Sequence, residues 1–276
     1  MNNAPATTAA PRVTFTCWPG GHARAATLSF DDGRSEDRML VALLNRHGLR
    51  ATFNLNSTFL GRPDRVSPDE LVALYAGHEV GVHTLTHPYL TQLPDEAVLR
   101  EVWDDRRELE RLTGMIMRGL AYPYSYYDDR VKRLVAAAGL LYARTNRPTP
   151  DFGLPADWLE WHPTGHEKIA DEAMFTRFFD EPRWSQLRLL HLYGHSFEFA
   201  EVGRLEKFER TCVRLSAEKD RVWFATNAQV YDYSEAMRRL RFSADGWWVE
   251  NPSAFDVWVR VGAEPRRLPP GLTRLA

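Results

Sequence analysis

Leu28-Ser29-Phe30-Asp31-Asp32-Gly33 and, about fifty residues on, Gly77-His78-Glu79-Val80-Gly81-Val82-His83-Thr84-Leu85-Thr86-His87 decide how this chain is read. The first stretch ends an apolar run in two adjacent carboxylates and a glycine that lets the chain turn. The second places two imidazoles four residues apart, just after another short apolar run. One Asp with two His is a three-ligand set suited to a zinc-like divalent ion, with positions left open for water and substrate. The other Asp is then free to act as a base on that water. Alone, Asp-Asp-Gly reads as a turn, and a His-x-x-x-His pair spaced as on one helical face reads as a surface coincidence. Together, at successive strand ends, they read as a metal-assisted hydrolase site.

Outward from these stretches, short β-rich runs alternate with helical ones. Strands are expected at Ala26–Phe30, Arg50–Asn54, Glu79–Val82, Ile116–Tyr122, Leu140–Thr145, Leu187–Tyr193 and Arg221–Ala225. Between and after them fall helices at Glu36–His47, Asp95–Leu112, roughly Lys168–Phe178, Arg204–Lys219 and Ala228–Leu240. Gly48 stops the first of these, Ser67-Pro68-Asp69-Glu70 opens a helix with a capping box, and Asp128 caps one that ends at Gly139. Seven strand–helix alternations imply parallel strands closing into a barrel or an open α/β sheet. Functional groups then gather after the strands' C-terminal ends. That rule alone collects Asp31 and Asp32, His83 and His87, Tyr122-Pro123-Tyr124, and His195. Met1 to Pro11 reads as a frayed tail. Beyond residue 241, Asp245-Gly246 marks a turn among strand-like runs at Arg241–Ser243, Trp247–Glu250 and Ala254–Val261, a small antiparallel appendage.

The bulk properties fit one barrel-sized domain of 276 residues, 44% of them hydrophobic. The net charge of −2 and the lack of a basic stripe argue against nucleic-acid and membrane-surface partners. Cys17 and Cys212 lie far apart, and neither has metal-binding spacing. Met1 to Ala10 has neither the basic segment nor the apolar core of a signal peptide, and no run approaches membrane-spanning length, so a cytoplasmic protein is expected, although a chain whose leader had been removed would read the same.

The two opening stretches resemble the first two motifs of the polysaccharide deacetylase family, the NodB-like carbohydrate esterases: T-F-D-D-G and H-[ST]-x-x-H. The resemblance runs with gaps from about Ala26 to Asn227. It implies a distorted (β/α)7-type NodB barrel over residues 23–240, preceded by a tail and leading strand (1–22) and followed by the antiparallel appendage (241–276). It implies hydrolysis of an N- or O-acyl group on a sugar with a bound divalent metal: Zn2+, with Co2+, Ni2+ or Mn2+ as substitutes. Asp31 matches the general base, Asp32 the metal carboxylate, and His83 and His87 the metal imidazoles.

Ala121-Tyr122-Pro123-Tyr124 aligns with R-x-P-[YF], but Ala121 stands where that motif has the arginine that pairs with the base. The tuning of Asp31 must then come from elsewhere or be absent. Tyr124 matches the residue whose backbone N–H binds the developing oxyanion, and Ser125 stands where glycine is usual. Leu189-Leu190-His191-Leu192-Tyr193-Gly194-His195 resembles the last motif, a strand ending in the histidine that protonates the leaving amine. His195, at the strand's mouth, is preferred; His191, among apolar neighbours, reads as buried structure. Trp161 and Tyr122 are candidate substrate walls, and His166 reads as an exposed helix-start residue. Pro19-Gly20-Gly21, the Phe53–Ser57 segment, Tyr142-Ala143-Arg144-Thr145 and Thr226-Asn227 resemble a cytoplasmic-looking branch in which the missing arginine is usual.

These readings converge on a metal-dependent hydrolase of carbon–nitrogen bonds acting on an N-acylated sugar or related small molecule. A deformylase or cyclic-amide hydrolase on the same scaffold, and a catalytically impaired metal-retaining carbohydrate-binding protein, are the alternatives that the sequence leaves open. It does not specify the oligomeric state.

Overall fold

The computed structural model describes residues 10–180 and 187–275. In chain order the strands are β1 (Val13–Thr14), β2 (Arg24–Asp31), β3 (Ala51–Leu55), β4 (Glu79–Val82), β5 (Gly119–Ala121), β6 (Tyr142–Arg144), β7 (Gly165–His166), β8 (Arg188–His195), β9 (Val222–Phe224), β10 (Arg241–Phe242), β11 (Trp248–Asn251), β12 (Val257–Val261), β13 (Glu264–Leu268) and β14 (Gly271–Arg274). The α-helices are α1 (Asp37–Arg46), α2 (Leu71–Leu74), α3 (Asp95–Thr113), α4 (Asp129–Ala137), α5 (Glu172–Asp180), α6 (Arg204–Ser216) and α7 (Asn227–Arg238).

The central sheet is parallel throughout, ordered β6-β5-β4-β3-β2-β8-β7, with β9 beside the first half of β2. The segment after β6 nearly closes it: Trp161 bridges Arg144 of β6, and β7 then pairs with β8. This is the distorted barrel that the resemblance implies, one of the two arrangements that the alternation allows. Strand alternation sorts the two faces. Leu28, Phe30, Phe53, Leu55, Val80 and Val82 point outward into a core completed by Leu40, Leu44, Val98, Val102 and Leu109 from the helices. Each such side chain stabilises the fold by about 1.5–3 kcal/mol through burial.

The inward-facing positions are polar instead. Ser29 Oγ accepts from Asn54 Nδ2 (3.0 Å) and Arg144 Nε (3.0 Å), and Thr52 Oγ1 donates to Glu79 Oε2 (2.8 Å). Tyr142 donates its hydroxyl to the other Glu79 oxygen. The N-terminus of α7 stoppers the far end: Ala228 N donates to Glu79 Oε2 (2.8 Å), Asn227 N donates to Thr52 Oγ1 (2.9 Å), and Asn227 Oδ1 accepts from Thr27 Oγ1 (2.8 Å). A helix N-terminus is a favourable neighbour for that buried carboxylate.

Several expected boundaries shift for identifiable reasons. The helix expected from Lys168 begins at Glu172, because Asp171 caps it by accepting from Met174 N (2.8 Å). Just before it, Gly165–His166 is a short strand, where His166 reads in sequence as a helix-start residue. Ser67 and Glu70 do form the expected capping box, on a 3-10 turn leading into α2. Beyond β10 the chain makes more strands than the turn signals suggest. β10, β11 and β14 form one antiparallel sheet, and β12 and β13 form another with the leading strand β1. Pro265 hid β13 from the sequence reading; it is tolerated because β13 is an edge strand.

Candidate active site

The parallel register assembles the centre of the site as one row across four strands. Asp31 of β2 pairs with His195 of β8 on one side and Asn54 of β3 on the other, and Asn54 pairs with Gly81 of β4. Asn54 Nδ2 donates to Asp31 Oδ1 (2.9 Å). A Cβ on Gly81 would lie 2.5 Å from Asn54 Oδ1, so the glycine makes room for the amide that holds the carboxylate. Arg144, at the end of β6, donates Nη2 to Asp31 Oδ2 and Nη1 to Thr145 O (2.9 Å). Both Asp31 and Arg144 are buried. Burial pushes the Asp31 carboxyl up, but the Arg144 guanidinium, the largest opposing influence, outweighs it and holds the group well below the usual carboxylate range.

The metal-ligating candidates come together one turn of chain later. Asp32 follows β2 with φ 82°, and Gly33 continues the turn at φ 60°. A side chain on Gly33 would be strained at that φ and would have to displace the Leu55 methyl, 3.0 Å from where its Cβ would sit. Asp32 Oδ1 lies 3.7 Å from His83 Nε2 and 3.9 Å from His87 Nε2, and the two imidazole nitrogens are 3.1 Å apart. His83 Nδ1 donates to Ala121 O (2.7 Å), which leaves the Nε2 lone pair facing the other two ligands. Burial and the neighbouring His83 lower His87 to about 4, so its ring is neutral and ligand-competent near pH 7. Three lone-pair atoms around one point, one ring tautomer already fixed, fit a divalent ion.

His83 and His87 do not meet through helical spacing. They sit on a loop whose residues Thr84 (φ 68°) and His87 (φ 58°) are left-handed. Helix α3 pins that loop from below: Asp105 accepts from Ser57 N (2.6 Å) and His83 N (3.2 Å), while Glu101, one turn earlier, accepts from Thr86 N (2.8 Å) and Thr86 Oγ1 (2.6 Å). Asn56 Nδ2 donates to the His83 and Thr84 carbonyls at 2.6 and 2.8 Å. Among the described residues, the non-glycine positive φ angles belong to Asp32, Thr84, His87, Tyr124 and Ser125. All lie in or beside one cleft, and such strain persists only where surrounding contacts impose it.

That cleft, of about 530 Å³, is lined by Asp31, Asp32, His83, His87, Tyr122, Tyr124, Arg144 and His195, with Arg34, Arg65, Phe59 and Phe197 along its rim. His195 Nε2 is 4.0 Å from Asp31 Oδ2, and its Nδ1 is 3.3 Å from Glu198 Oε2. Burial pulls the imidazole down, but Glu198 and Asp31 outweigh it, so His195 is raised above its ordinary value. His166 is largely buried rather than exposed, with Nε2 3.0 Å from the same Glu198 oxygen. His166, His195 and Glu198 cluster closely enough to hold an ion, but Arg204 Nη2 at 3.3 Å already supplies a cation there.

His191 is fully buried against Trp161 (ring centroids 4.6 Å), and burial keeps it neutral. Trp161, a candidate wall, is 1% exposed and does not line the cleft, because its backbone closes the barrel against β6. Tyr122 does line it and donates its hydroxyl to Leu159 O (2.9 Å). Tyr124 projects outward, edge-on to His87 (4.5 Å) and stacked on Tyr89 (4.4 Å).

Residues 19–143 match the polysaccharide deacetylase family. The matched span contains Asp31, Asp32, His83, His87, Ala121, Tyr122 and Tyr124; Arg144 and His195 lie beyond it. Chitin deacetylase 1 of Cryptococcus neoformans var. grubii is 28% identical over 141 residues, 50% of this chain and 29% of that protein. A peptidoglycan-N-acetylglucosamine deacetylase of Listeria monocytogenes is 30% identical over 107 residues, 38% of this chain and 22% of its own length. The chain thus spans less than a third of the curated relatives it matches. In fold it is similar to a Mycobacterium smegmatis protein assigned as a polysaccharide deacetylase, with a TM-score of 0.58 and 19% identity over 84% of this chain and 96% of that one.

Sequence reasoning missed Arg144 as the partner of the base. Ala121 and Arg144 are register partners on adjacent strands, so the guanidinium expected at the end of β5 arrives from the end of β6. It also missed Asp105, although a signal existed: a carboxylate in the middle of the apolar stripe Val98, Val102, Leu109 of α3.

Proposed function

We propose that this chain is a metal-dependent hydrolase that removes the acetyl group from an N-acetylated sugar. The observation that carries this reading is the joint placement of Asp32, His83 and His87 around one point, with Asp31 and His195 paired in register at the same cleft. The two curated relatives, named for chitin and for peptidoglycan N-acetylglucosamine, supply the substrate class.

Asp32, His83 and His87 would hold the ion, which when bound would supply Lewis acidity. The chain's own groups handle the protons. Asp31, kept ionised by Arg144, accepts the proton of the attacking water. The Tyr124 N–H donates to the oxygen that gains charge, a contribution worth several kcal/mol in comparable sites, on the order of 3. His195, whose hold on its proton Glu198 and Asp31 strengthen, donates to the departing nitrogen. Removing the metal with a chelator should abolish acetate release from N-acetylglucosamine oligomers, and adding Zn2+ or Co2+ should restore it. No release from any N-acetyl sugar by metal-loaded protein would overturn the reading.

His195 gives the sharper kinetic test. His195→Ala should slow amide substrates by roughly 10²–10⁴ while slowing activated aryl esters far less, because an aryloxide leaves without a proton and an amine scarcely can. Since His195 must be protonated while Asp31 is ionised, the wild-type rate falls on the alkaline side as His195 loses its proton. That limb should vanish in the variant. Equal losses on both substrate types would remove His195 from the acid role.

A further inference from the structure

The rim of the cleft carries two guanidiniums that the chemistry above does not use. Arg34 and Arg65 form an isolated antiparallel bridge between the chain after β2 and the chain before α2. Its flanking bonds, Ser35 N to Asp64 O (3.1 Å) and Val66 N to Gly33 O (3.1 Å), make Arg34 and Arg65 a non-hydrogen-bonded pair. In that geometry directly opposed side chains are closest, and like charges there are destabilising.

Inside the protein the repulsion is relieved mainly by one half-exposed carboxylate, that of Asp64. Arg34 Nη1 donates to the Asp64 carboxylate, which is 56% exposed, and Arg65 Nε is 3.9 Å from the same oxygen. Arg65 Nη1 spends one donor on the backbone oxygen of Asp32 (2.8 Å). No hydrogen bond from Arg34 Nη2 or Arg65 Nη2 is made to the described residues. Arg34 lies over the Phe197 ring at 4.8 Å and Arg65 over Phe59 at 5.3 Å, so apolar faces hold both cations in place at the cleft. Arg144, the third guanidinium of the cleft, is different: its donors go to Asp31, Ser29 and Thr145.

We propose that Arg34 and Arg65 form a subsite for an anionic group, a carboxylate or a phosphate, carried by the sugar that the cleft binds. An oxyanion between the two would use their spare donors in charge-assisted bonds and convert a repulsive pair into a clamp. That the carrier is an N-acylated sugar rests on the reading under Proposed function; the anion preference does not.

The test is calorimetric binding of N-acetylglucosamine, N-acetylmuramic acid and N-acetylglucosamine 6-phosphate to the metal-loaded protein. Both anionic sugars, or one of them, should bind at least about ten-fold tighter than the neutral one, as one or two charge-assisted bonds provide. The advantage should shrink with added salt. Which anion wins distinguishes carboxylate from phosphate. The metal would itself attract an anion, so the variants decide: Arg34→Gln should erase most of the advantage, and Arg34→Lys should restore part of it. Arg34 makes no hydrogen bond or ion pair with Asp32, and measuring metal content in this variant and in Arg65→Gln, the second variant, keeps the readout separate from metal loss. No preference in the wild type, or a preference that survives both glutamine variants, overturns the subsite. Anion preference without acetate release from any sugar would overturn the deacetylase reading and leave the subsite standing.

Discussion

Asp31→Asn should leave the protein able to load its metal through Asp32, His83 and His87, yet lower kcat by roughly 10²–10⁴. The amide has nearly the shape of the carboxylate, but its single oxygen can accept from only one of the two donors, Asn54 Nδ2 and Arg144 Nη2, and it cannot accept the proton of the attacking water. The substitution also leaves Arg144, with a side chain only 3% exposed, beside a neutral partner. Some loss of stability is therefore expected alongside the loss of rate. Metal content by mass spectrometry, thermal unfolding and acetate release on the same preparation separate the three effects. A folded, metal-loaded variant that turns over at the wild-type rate would remove Asp31 from the base role.

Arg144→Met should destabilise the protein by about 3–5 kcal/mol, because it strands a carboxylate that is only 6% exposed. The pH dependence carries the diagnostic sign. In the wild type the Asp31 carboxyl is held below its unfolded value, so the pair's stabilisation is fully present above about pH 4 and is lost as pH falls from there through the depressed folded value. In the variant the largest lowering influence is gone and burial pushes the carboxyl above that unfolded value. Stability should then fall as pH rises through the raised folded value, the opposite trend. Urea unfolding of metal-free protein at pH 5 and pH 8 reads this directly, since a bound ion would act on Asp31 in the same direction as Arg144. The register pairing of Ala121 with Arg144 adds a rescue: Ala121→Arg in the Arg144→Met background should recover part of both stability and rate. Identical pH trends in wild type and variant would show that Arg144 does not tune Asp31.

The strand-end residues were legible because each sits one step beyond an apolar run, and a parallel sheet gathers such positions without further information. Asp31, Asp32, His83, His87, Tyr122, Tyr124 and His195 all reach the cleft on that rule alone. What stayed hidden depends on relations between strands. That Arg144 replaces an arginine absent at position 121 is a fact about the pairing of β5 with β6, and no local pattern encodes a pairing register. Trp161 looked like a cleft aromatic because the closure of the barrel between β6 and β8 has no signature of its own. Asp105, set in the apolar stripe of α3, and Glu101, one turn earlier, gain their role only from the His83–His87 loop that lies on them. The histidine pair suggested a helical face, whereas two left-handed residues fold the loop instead.

The polar lining of the barrel bears on how this chain finds its own alignment. Side chains alternate between the faces of a strand, so a slip of one residue exchanges the whole set. If β2 slipped by one position, Thr27, Ser29 and Asp31 would turn into the helix-packed apolar layer, and Leu28 and Phe30 would face Arg144 and Asn54. Every buried donor and acceptor along that strand would lose its partner at once, each at about 1–3 kcal/mol. A barrel lined with interchangeable valines tolerates neighbouring alignments far better. In this chain misalignment is penalised along the whole length of the strand, and the same groups that penalise it hold Asp31 opposite His195.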